Sequence, residues 1–161
     1  MMRNRDFNMK SLIKNLLFIV VLSINSPVLY AANGNTRVIQ WAQQTLMDTL
    51  SVSYTSKPQD FATVRKNYSL NAWSGITGFL GGNMKDIREK QLTLHPVLLS
   101  DTQILSTGLY SGMSYWIVRQ SVAIDELNAK LTFTLTILGR SAAAGSPYII
   151  QSLSILLNAL N

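Results

Sequence analysis

Residues 131–138 of the chain read LTFTLTIL, a run in which large apolar residues alternate with threonine. A two-residue period is that of a β-strand, whose successive side chains point to opposite faces. One face therefore carries the apolar residues Leu131, Phe133, Leu135 and Ile137, and the other carries the threonines. Threonine favours strands and tolerates water. The stretch predicts a sheet that is covered on one face and open to solvent, or to a groove, on the other.

A second strand precedes this one. Over residues 115–124, one face would carry Trp116, Val118, Val122 and Ile124. The polar residues 125–130 connect this segment to the first stretch. The two segments therefore predict an antiparallel hairpin.

Weaker patterns complete the predicted sheet. Residues 103–110 are typical of a strand, which the pair Ser111-Gly112 would end. The alternation at residues 92–94 predicts a short strand at an edge or a strand end, because Pro96 follows it. Residues 148–150 predict one more strand, and the apolar residues 152–160 predict a short C-terminal helix.

Helical patterns occupy the part of the chain before the strands. Residues 37–50 place apolar side chains on one face, with capping candidates at residues 33–36. Residues 56–59 have the form of a capping box with a proline in the first turn, which predicts a second helix.

A third helix should begin at Ser69 or Asn71 and end at the pair Gly81-Gly82, with one further helical turn over residues 83–89. Helices followed by antiparallel strands are the α+β order. The sequence therefore predicts N-terminal helices packed on one face of a curved antiparallel sheet.

The composition excludes several kinds of site. The chain has 161 residues, 47% hydrophobic and 14% charged, as expected of one globular domain. It has no cysteine, and its single histidine, His95, is expected to be structural or exposed. Motifs for phosphate binding, zinc proteases and serine hydrolases are absent. No acidic residue lies within an apolar strand, so we predict no catalytic, cofactor-binding or metal-ligating residues.

The N-terminal residues have the layout of a secretory signal peptide. Four basic residues and one acidic residue lie within residues 1–14, before an apolar run at residues 16–22. That run is shorter than the ~20 residues of a membrane-spanning helix. We expect cleavage after Ala31 or Ala32; the alternative is that residues 1–32 are retained as an inner-membrane anchor facing the periplasm. Residues 33–161 are predicted to form a single periplasmic domain.

The basic N-terminal residues also account for half of the charge. The formal net charge of the whole chain is +6, and it falls to +3 when the four basic residues and one acidic residue of residues 1–14 are set aside. The remaining basic residues are scattered and form no stripe. Nucleic acid is therefore not a predicted partner.

Several short fragments resemble, in their order and spacing, the DotI/IcmL family of type IVB secretion proteins. They are VIQWA at residues 38–42, RKNYS at 65–69 with Trp73, Leu80 with Asn83, Met84 and Ile87, Gly108, Tyr115-Trp116 with Val118, and IIQ at 149–151. The family-pattern core positions are Trp41, Arg65, Tyr68, Trp73, Asn83, Gly108 and Trp116. Ala72 and Ser121 depart from the pattern, because family members usually have glycine and proline there.

The resemblance implies a periplasmic domain with a cone-like NTF2 fold, free in the periplasm if the signal peptide is cleaved. It also implies a protein without enzymatic activity or cofactors that contacts envelope subunits of a type IVB secretion or conjugation complex, or another copy of itself. An edge strand or the threonine face of the sheet would supply that contact.

Two other functions stay open at this point. NTF2-like domains often have a cavity beneath the sheet, so the chain could bind a small ligand or act as an enzyme in the periplasm, with Tyr115 and Arg119 as cavity candidates. It could also be a secreted factor that acts outside the cell, which the signal peptide permits.

Overall fold

The computed structural model of the protein describes residues 26–141 and 144–158, with side chains from residue 34 onward. The chain divides into two compact units, Met1–Thr36 and Arg37–Asn161, and the sheet lies in the second. The charged and apolar parts of the predicted signal peptide or anchor lie outside the described residues. Within the two described ranges, none of the helices combines the length and hydrophobicity that crossing a membrane requires.

Helices come first in the chain and strands follow. The helices are α1 (Ser26–Leu50), a 3-10 turn (Pro58–Phe61) continued by α2 (Ala62–Arg65), and α3 (Leu70–Glu89). The strands are β1 (Val97–Leu98), β2 (Gln103–Tyr110), β3 (Met113–Ile124), β4 (Ala129–Gly139) and β5 (Tyr148–Asn158). This order confirms the α+β prediction.

The five strands of the described ranges form one antiparallel sheet. β1 and β2 both pair with β3, β3 pairs with β4, and β5 adds to β4 as an edge strand. The turn between β2 and β3 has positive φ at Ser111 (49°) and Gly112 (78°), as a two-residue hairpin of the type I′ class requires. The predicted hairpin of β3 and β4 is confirmed, with Val118 opposite Leu135.

The alternation of residues 131–138 produces the centre of the core. Leu131, Phe133, Leu135 and Ile137 are at most 1% exposed, while the threonines between them are half-buried on the other face. Helices α1 and α3 bury their own apolar stripes in the same core: Val38, Ala42, Leu46 and Leu50 from α1, and Ala72, Ile76, Leu80 and Ile87 from α3. Each large apolar side chain buried in this way stabilises the fold by about 1.5–3 kcal/mol.

Two helices are longer than the sequence predicts. α1 begins at Ser26, so the expected caps at residues 33–36 lie inside it. α3 begins at Leu70 and is capped by one of the expected caps, Ser69, whose Oγ accepts a hydrogen bond from the backbone N of Ala72 at 3.2 Å. It then continues through Gly81 and Gly82, where the sequence predicts an end. Each glycine costs a helix about 1 kcal/mol, but the buried stripe on both sides of the pair offsets that cost.

The capping box predicted at residues 56–59 is wrong by one residue. The backbone N of Lys57 donates to Oδ2 of Asp60 at 2.9 Å, so the box begins at Lys57. Ser56 instead accepts a hydrogen bond from the backbone N of Ser53 at 2.9 Å. The helix that follows is also short, because α2 ends at Arg65.

Two predictions at the strand ends are wrong. Residues 92–94 contribute only an isolated bridge between Thr93 and Ser53, and β1 begins after Pro96. Residues 152–158 belong to β5 and not to a helix. Here half-buried Leu153 and Ile155 alternate with exposed Ser152 and Ser154, which is the two-residue period of a strand. This strand pairs with the backbone groups of β4.

Candidate interaction surface

The β5 edge, residues 152–158, is one of the two outer edges of the sheet in the described residues, and β1 and β2 form the other. The first residues of β5 are covered, because Ile150 exchanges backbone hydrogen bonds with Asn67 and Ser69, at 2.8 and 2.9 Å. The carbonyl of Gln151 accepts from Oγ of Ser69 at 2.7 Å. Beyond that residue the outer side of β5 has no strand neighbour in the described ranges. Its backbone groups are therefore available to another strand.

The β5 edge lacks the features by which proteins protect such edges. Exposed edges are usually interrupted by charged residues, prolines or bulges, because unpaired backbone groups attract other strands. Strand β5 contains no charged residue and no proline, and its bulge lies before Ser152. Leu156 and Leu157 are 63% and 64% exposed. Because the sequence predicts a helix over residues 152–160, it does not predict this exposed strand edge.

The sheet face opposite the helices is a second open surface beside this edge. Thr132, Thr134 and Thr136 lie on it, as the alternation predicts. Thr132 Oγ1 lies 3.2 Å from Oγ of Ser121 and accepts from Nδ2 of Asn158 at 3.0 Å. Side-chain hydrogen bonds through the Thr132 hydroxyl therefore link three neighbouring strands across this face.

Two family-pattern tryptophans meet at one aromatic cluster. Tyr148 at the start of β5 lies between them, with its ring centroid 5.3 Å from that of Trp41 in α1 and 5.6 Å from that of Trp116 in β3. The Trp116 contact is edge-to-face, a favourable geometry for aromatic rings. This cluster packs α1 against the sheet, so these positions support the fold.

Three more family-pattern positions form a second aromatic cluster. The rings of Tyr68 and Trp73 have centroids 5.6 Å apart, and the guanidinium of Arg65 lies 5.4 Å from the centroid of Trp73. Arg65 also donates to the carbonyl of Tyr68 at 2.8 Å. Tyr68 is buried, and burial raises the pKa of its hydroxyl above the ordinary value.

The last two family-pattern positions have local roles. Asn83 donates through Nδ2 to the carbonyl of Phe79, one turn earlier in α3, at 2.9 Å. Gly108 lies in β2 opposite Tyr115, and a Cβ atom added there would come within 2.9 Å of Cε1 of that ring. A side chain at this position would force the tyrosine ring to shift. The seven positions are thus distributed over the fold and do not converge on one site.

The residues considered for a cavity beneath the sheet lie elsewhere. Arg119 is exposed and Tyr115 half-buried on the face opposite the helices. The buried polar side chains of the described core are Thr45, Thr49 and Gln120, and none of them is charged. Gln120 is satisfied by the carbonyls of Ser100 and Ser121 and by the hydroxyl of Thr102.

The single histidine lies at the surface, as predicted. The His95 side chain is 75% exposed, and its Nδ1 lies 2.6 Å from Oε1 of Glu126. Hydrogen bonds from the His95 ring and backbone lower the pKa of Glu126, although its partial burial raises it. In the described ranges, no group of three histidine, cysteine or acidic side chains could hold a metal ion.

Comparison with known proteins shows the same fold in solved structures. The periplasmic domain of DotI matches with a TM-score of 0.62 and 17% identity, over 73% of this chain and 91% of that one. A periplasmic fragment of TraM matches with a TM-score of 0.66 and 13% identity, over 77% and 98%. An IcmL-like type IV secretion system protein from Legionella pneumophila matches with a TM-score of 0.60 and 14% identity, over 78% and 94%.

No family model and no curated protein matches the sequence. The likeness is therefore one of three-dimensional structure. It confirms the fold that the DotI/IcmL resemblance implies, helices followed by a curved antiparallel sheet.

Proposed function

We propose that this chain is a DotI/IcmL-like periplasmic protein that binds subunits of a type IVB secretion or conjugation apparatus and catalyses no reaction. The observation that carries the proposal is the fold shared with the DotI periplasmic domain, the TraM fragment and the IcmL-like secretion protein. The order of the family fragments between residues 37 and 152 supports the same assignment.

We assign the contact to the β5 edge. A partner strand added there would satisfy the backbone groups that β5 leaves unpaired, and its side chains would meet Leu156 and Leu157 on the two faces. A second copy could use the same edge, because antiparallel pairing of identical edges is self-complementary. The serine and threonine face beside it would contribute polar contacts.

The non-enzymatic part of the proposal rests on the ionisable groups of the chain. A general acid or base works best in a partly buried site with a shifted pKa. The one histidine of the sequence is instead exposed, and it is paired with the half-buried carboxylate of Glu126. These ionisable groups therefore favour binding over catalysis as the function of the chain.

The proposed location is the periplasm. Residues 1–32 would be a signal peptide, so that the mature protein begins at Ala32 or Asn33. N-terminal sequencing of the protein recovered from the cell envelope tests this assignment. A first residue at either position supports a free periplasmic protein, whereas an intact Met1 supports an anchored one with its domain in the periplasm.

Affinity capture from envelope extracts of the source organism tests the partner and the surface together. We expect the tagged wild-type protein to retain a secretion-complex subunit, and Leu156→Lys to lose it, because a charge in an edge strand opposes pairing. Leu109→Lys is the matched control, since Leu109 is 75% exposed in β2, which lies at the opposite edge of the sheet. Recovery of no envelope subunit by the wild type would overturn the function. If Leu156→Lys retains the subunit and Leu109→Lys loses it, the contact would be assigned to the other edge of the sheet.

A further inference from the structure

A groove with a volume of about 410 Å³ lies between the 3-10 turn and one side of α3. Its apolar wall is formed by Phe61 of the turn and by Trp73, Leu80 and Met84 of α3. The rings of Phe61 and Trp73 are 6.4 Å apart at their centroids. Pockets for small ligands have volumes of roughly 300–1,000 Å³, so this one suits a small molecule.

Three cationic side chains line the same groove. Lys57 and Arg88 are exposed, and half-buried Arg65 is held over the ring of Trp73 with its guanidinium carbon 5.4 Å from the centroid. No carboxylate is among the described residues that line the groove. The groove therefore combines an apolar wall with positive charges, and none of its lining residues carries a negative charge that would neutralise them.

The ion pairs among the described residues do not involve the three lining cations. These ion pairs join Lys85 to Glu89, Lys90 to Asp86, and His95 to Glu126. Asp60 lies beside the groove, but its carboxylate accepts a hydrogen bond from the backbone N of Lys57. The lining cations are thus available to an anionic ligand.

We propose that this groove binds a single-chain amphiphile with an anionic head, such as a fatty carboxylate. The acyl chain would lie against Phe61, Trp73, Leu80 and Met84, where it leaves water, and the carboxylate would meet Lys57 or Arg88. Apolar burial and opposite charge are both needed, so the site discriminates against cationic amphiphiles and against short carboxylates. This binding is independent of the β5 edge.

Dodecanoate, below its micelle concentration, is the probe. We expect saturable binding by calorimetry and a shift of the Trp73 indole resonance in a nitrogen–proton spectrum. From octanoate to dodecanoate the affinity should rise about fourfold for each added methylene, until the groove is filled. Dodecyltrimethylammonium has the same chain with the opposite charge, and it should bind at least tenfold more weakly.

Gly81→Leu tests the location without weakening the fold. Gly81 lines the groove, and a Cβ atom added there meets nothing within 4 Å, so a leucine would occupy open space in the groove. Leucine also favours a helix over glycine. We expect this variant to lose binding and to unfold at no lower temperature. Gly82→Leu is the matched control, because Gly82 is equally open but does not line the groove.

Paired charge removals test the head-group contact. Lys57→Gln with Arg88→Gln should weaken dodecanoate binding by at least about fivefold. Lys66→Gln with Lys85→Gln removes the same charge from exposed positions that do not line the groove, and it should leave the affinity unchanged.

Three results would overturn the proposal. The first is equal binding of dodecanoate by Gly81→Leu and Gly82→Leu. The second is equal affinity for dodecanoate and dodecyltrimethylammonium. The third is failure to bind dodecanoate when phosphatidylglycerol vesicles or an acidic amphipathic peptide do bind, which would make the groove a membrane or protein contact.

Discussion

The hydroxyl oxygens of Tyr68 and Thr49 lie 2.8 Å apart in the core. Thr49 donates its one hydroxyl proton to the carbonyl of Thr45 at 2.6 Å, so Tyr68 must be the donor to Thr49. The hydrogen bond joins the end of α1 to the segment before α3. It satisfies the buried hydroxyl of Tyr68.

Thr49→Val should destabilise the protein by about 1–3 kcal/mol, because it leaves the hydroxyl of Tyr68 buried without an acceptor. Tyr68→Phe should destabilise the protein by about 1 kcal/mol, since it removes the hydrogen bond but leaves no buried donor without an acceptor. The double variant should cost less than the sum of the two, because the residues act as a pair. Urea unfolding measures all three free energies.

Ser51→Ala is the control for this cycle. Like Thr49, Ser51 donates its side-chain hydroxyl to the carbonyl one turn earlier, that of Met47, at 2.8 Å. Unlike Thr49, it is exposed. Its replacement should change the free energy of unfolding by no more than about 0.5 kcal/mol. Strict additivity of Thr49→Val and Tyr68→Phe would contradict the proposed pairing.

Gly108→Ala should destabilise the sheet by about 1 kcal/mol, because its Cβ would overlap the ring of Tyr115 at 2.9 Å. Gly139→Ala is the matched control in β4, where the nearest atom would be 3.6 Å away at ordinary contact distance. Removing the ring with Tyr115→Ala should abolish the extra cost of Gly108→Ala. Thermal unfolding distinguishes these outcomes, and an equal loss at the two glycines would show that the ring moves aside.

The sheet could be predicted from sequence because β4 has a long two-residue period and β3, which precedes it, carries apolar residues along one face. Residues 131–137 alternate at every position, and burial on one face forces the register that Val118 and Leu135 show. The fragments that resemble the DotI/IcmL family then predict a fold that the solved structures share.

The errors occur where tertiary contacts outweigh local preference. The pair Gly81-Gly82 predicts the end of a helix, but buried Ile87 beyond it keeps α3 continuous. The pair Leu156-Leu157 breaks the alternation of β5, and pairing with β4 decides its structure. The groove could not be predicted, because its lining comes from segments that meet only after folding.

Tyr148→Leu should destabilise the protein by about 1–2 kcal/mol, because the ring packs against both Trp41 and Trp116 and each aromatic pair contributes about 0.5–1.5 kcal/mol beyond its buried area. Tyr148→Phe keeps both ring contacts and should stay within about 0.5 kcal/mol of wild type. Thermal unfolding followed by tryptophan fluorescence measures both. Equal destabilisation by the two variants would assign the effect to the hydroxyl and not to the ring.

Acid should weaken the link between the Glu126 carboxylate and His95. Oε1 of Glu126 lies 2.6 Å from Nδ1 of His95, and Oε2 accepts from the His95 backbone N at 3.2 Å. Partial burial raises the pKa of Glu126, but these hydrogen bonds outweigh it and hold the pKa below the ordinary 4.5. The stabilisation is therefore fully present above pH 4.5 and is lost as the pH falls through the lowered pKa.

Glu126→Gln should remove this component from the dependence of Tm on pH, so that its curve falls less steeply below pH 4.5 than that of the wild type. Asp101→Asn, which removes an exposed carboxylate, is the control for the loss of one negative charge. Its curve should follow the wild type, because the effect belongs to the paired carboxylate and not to net charge. Parallel curves for Glu126→Gln and the wild type would contradict the coupling of Glu126 to His95.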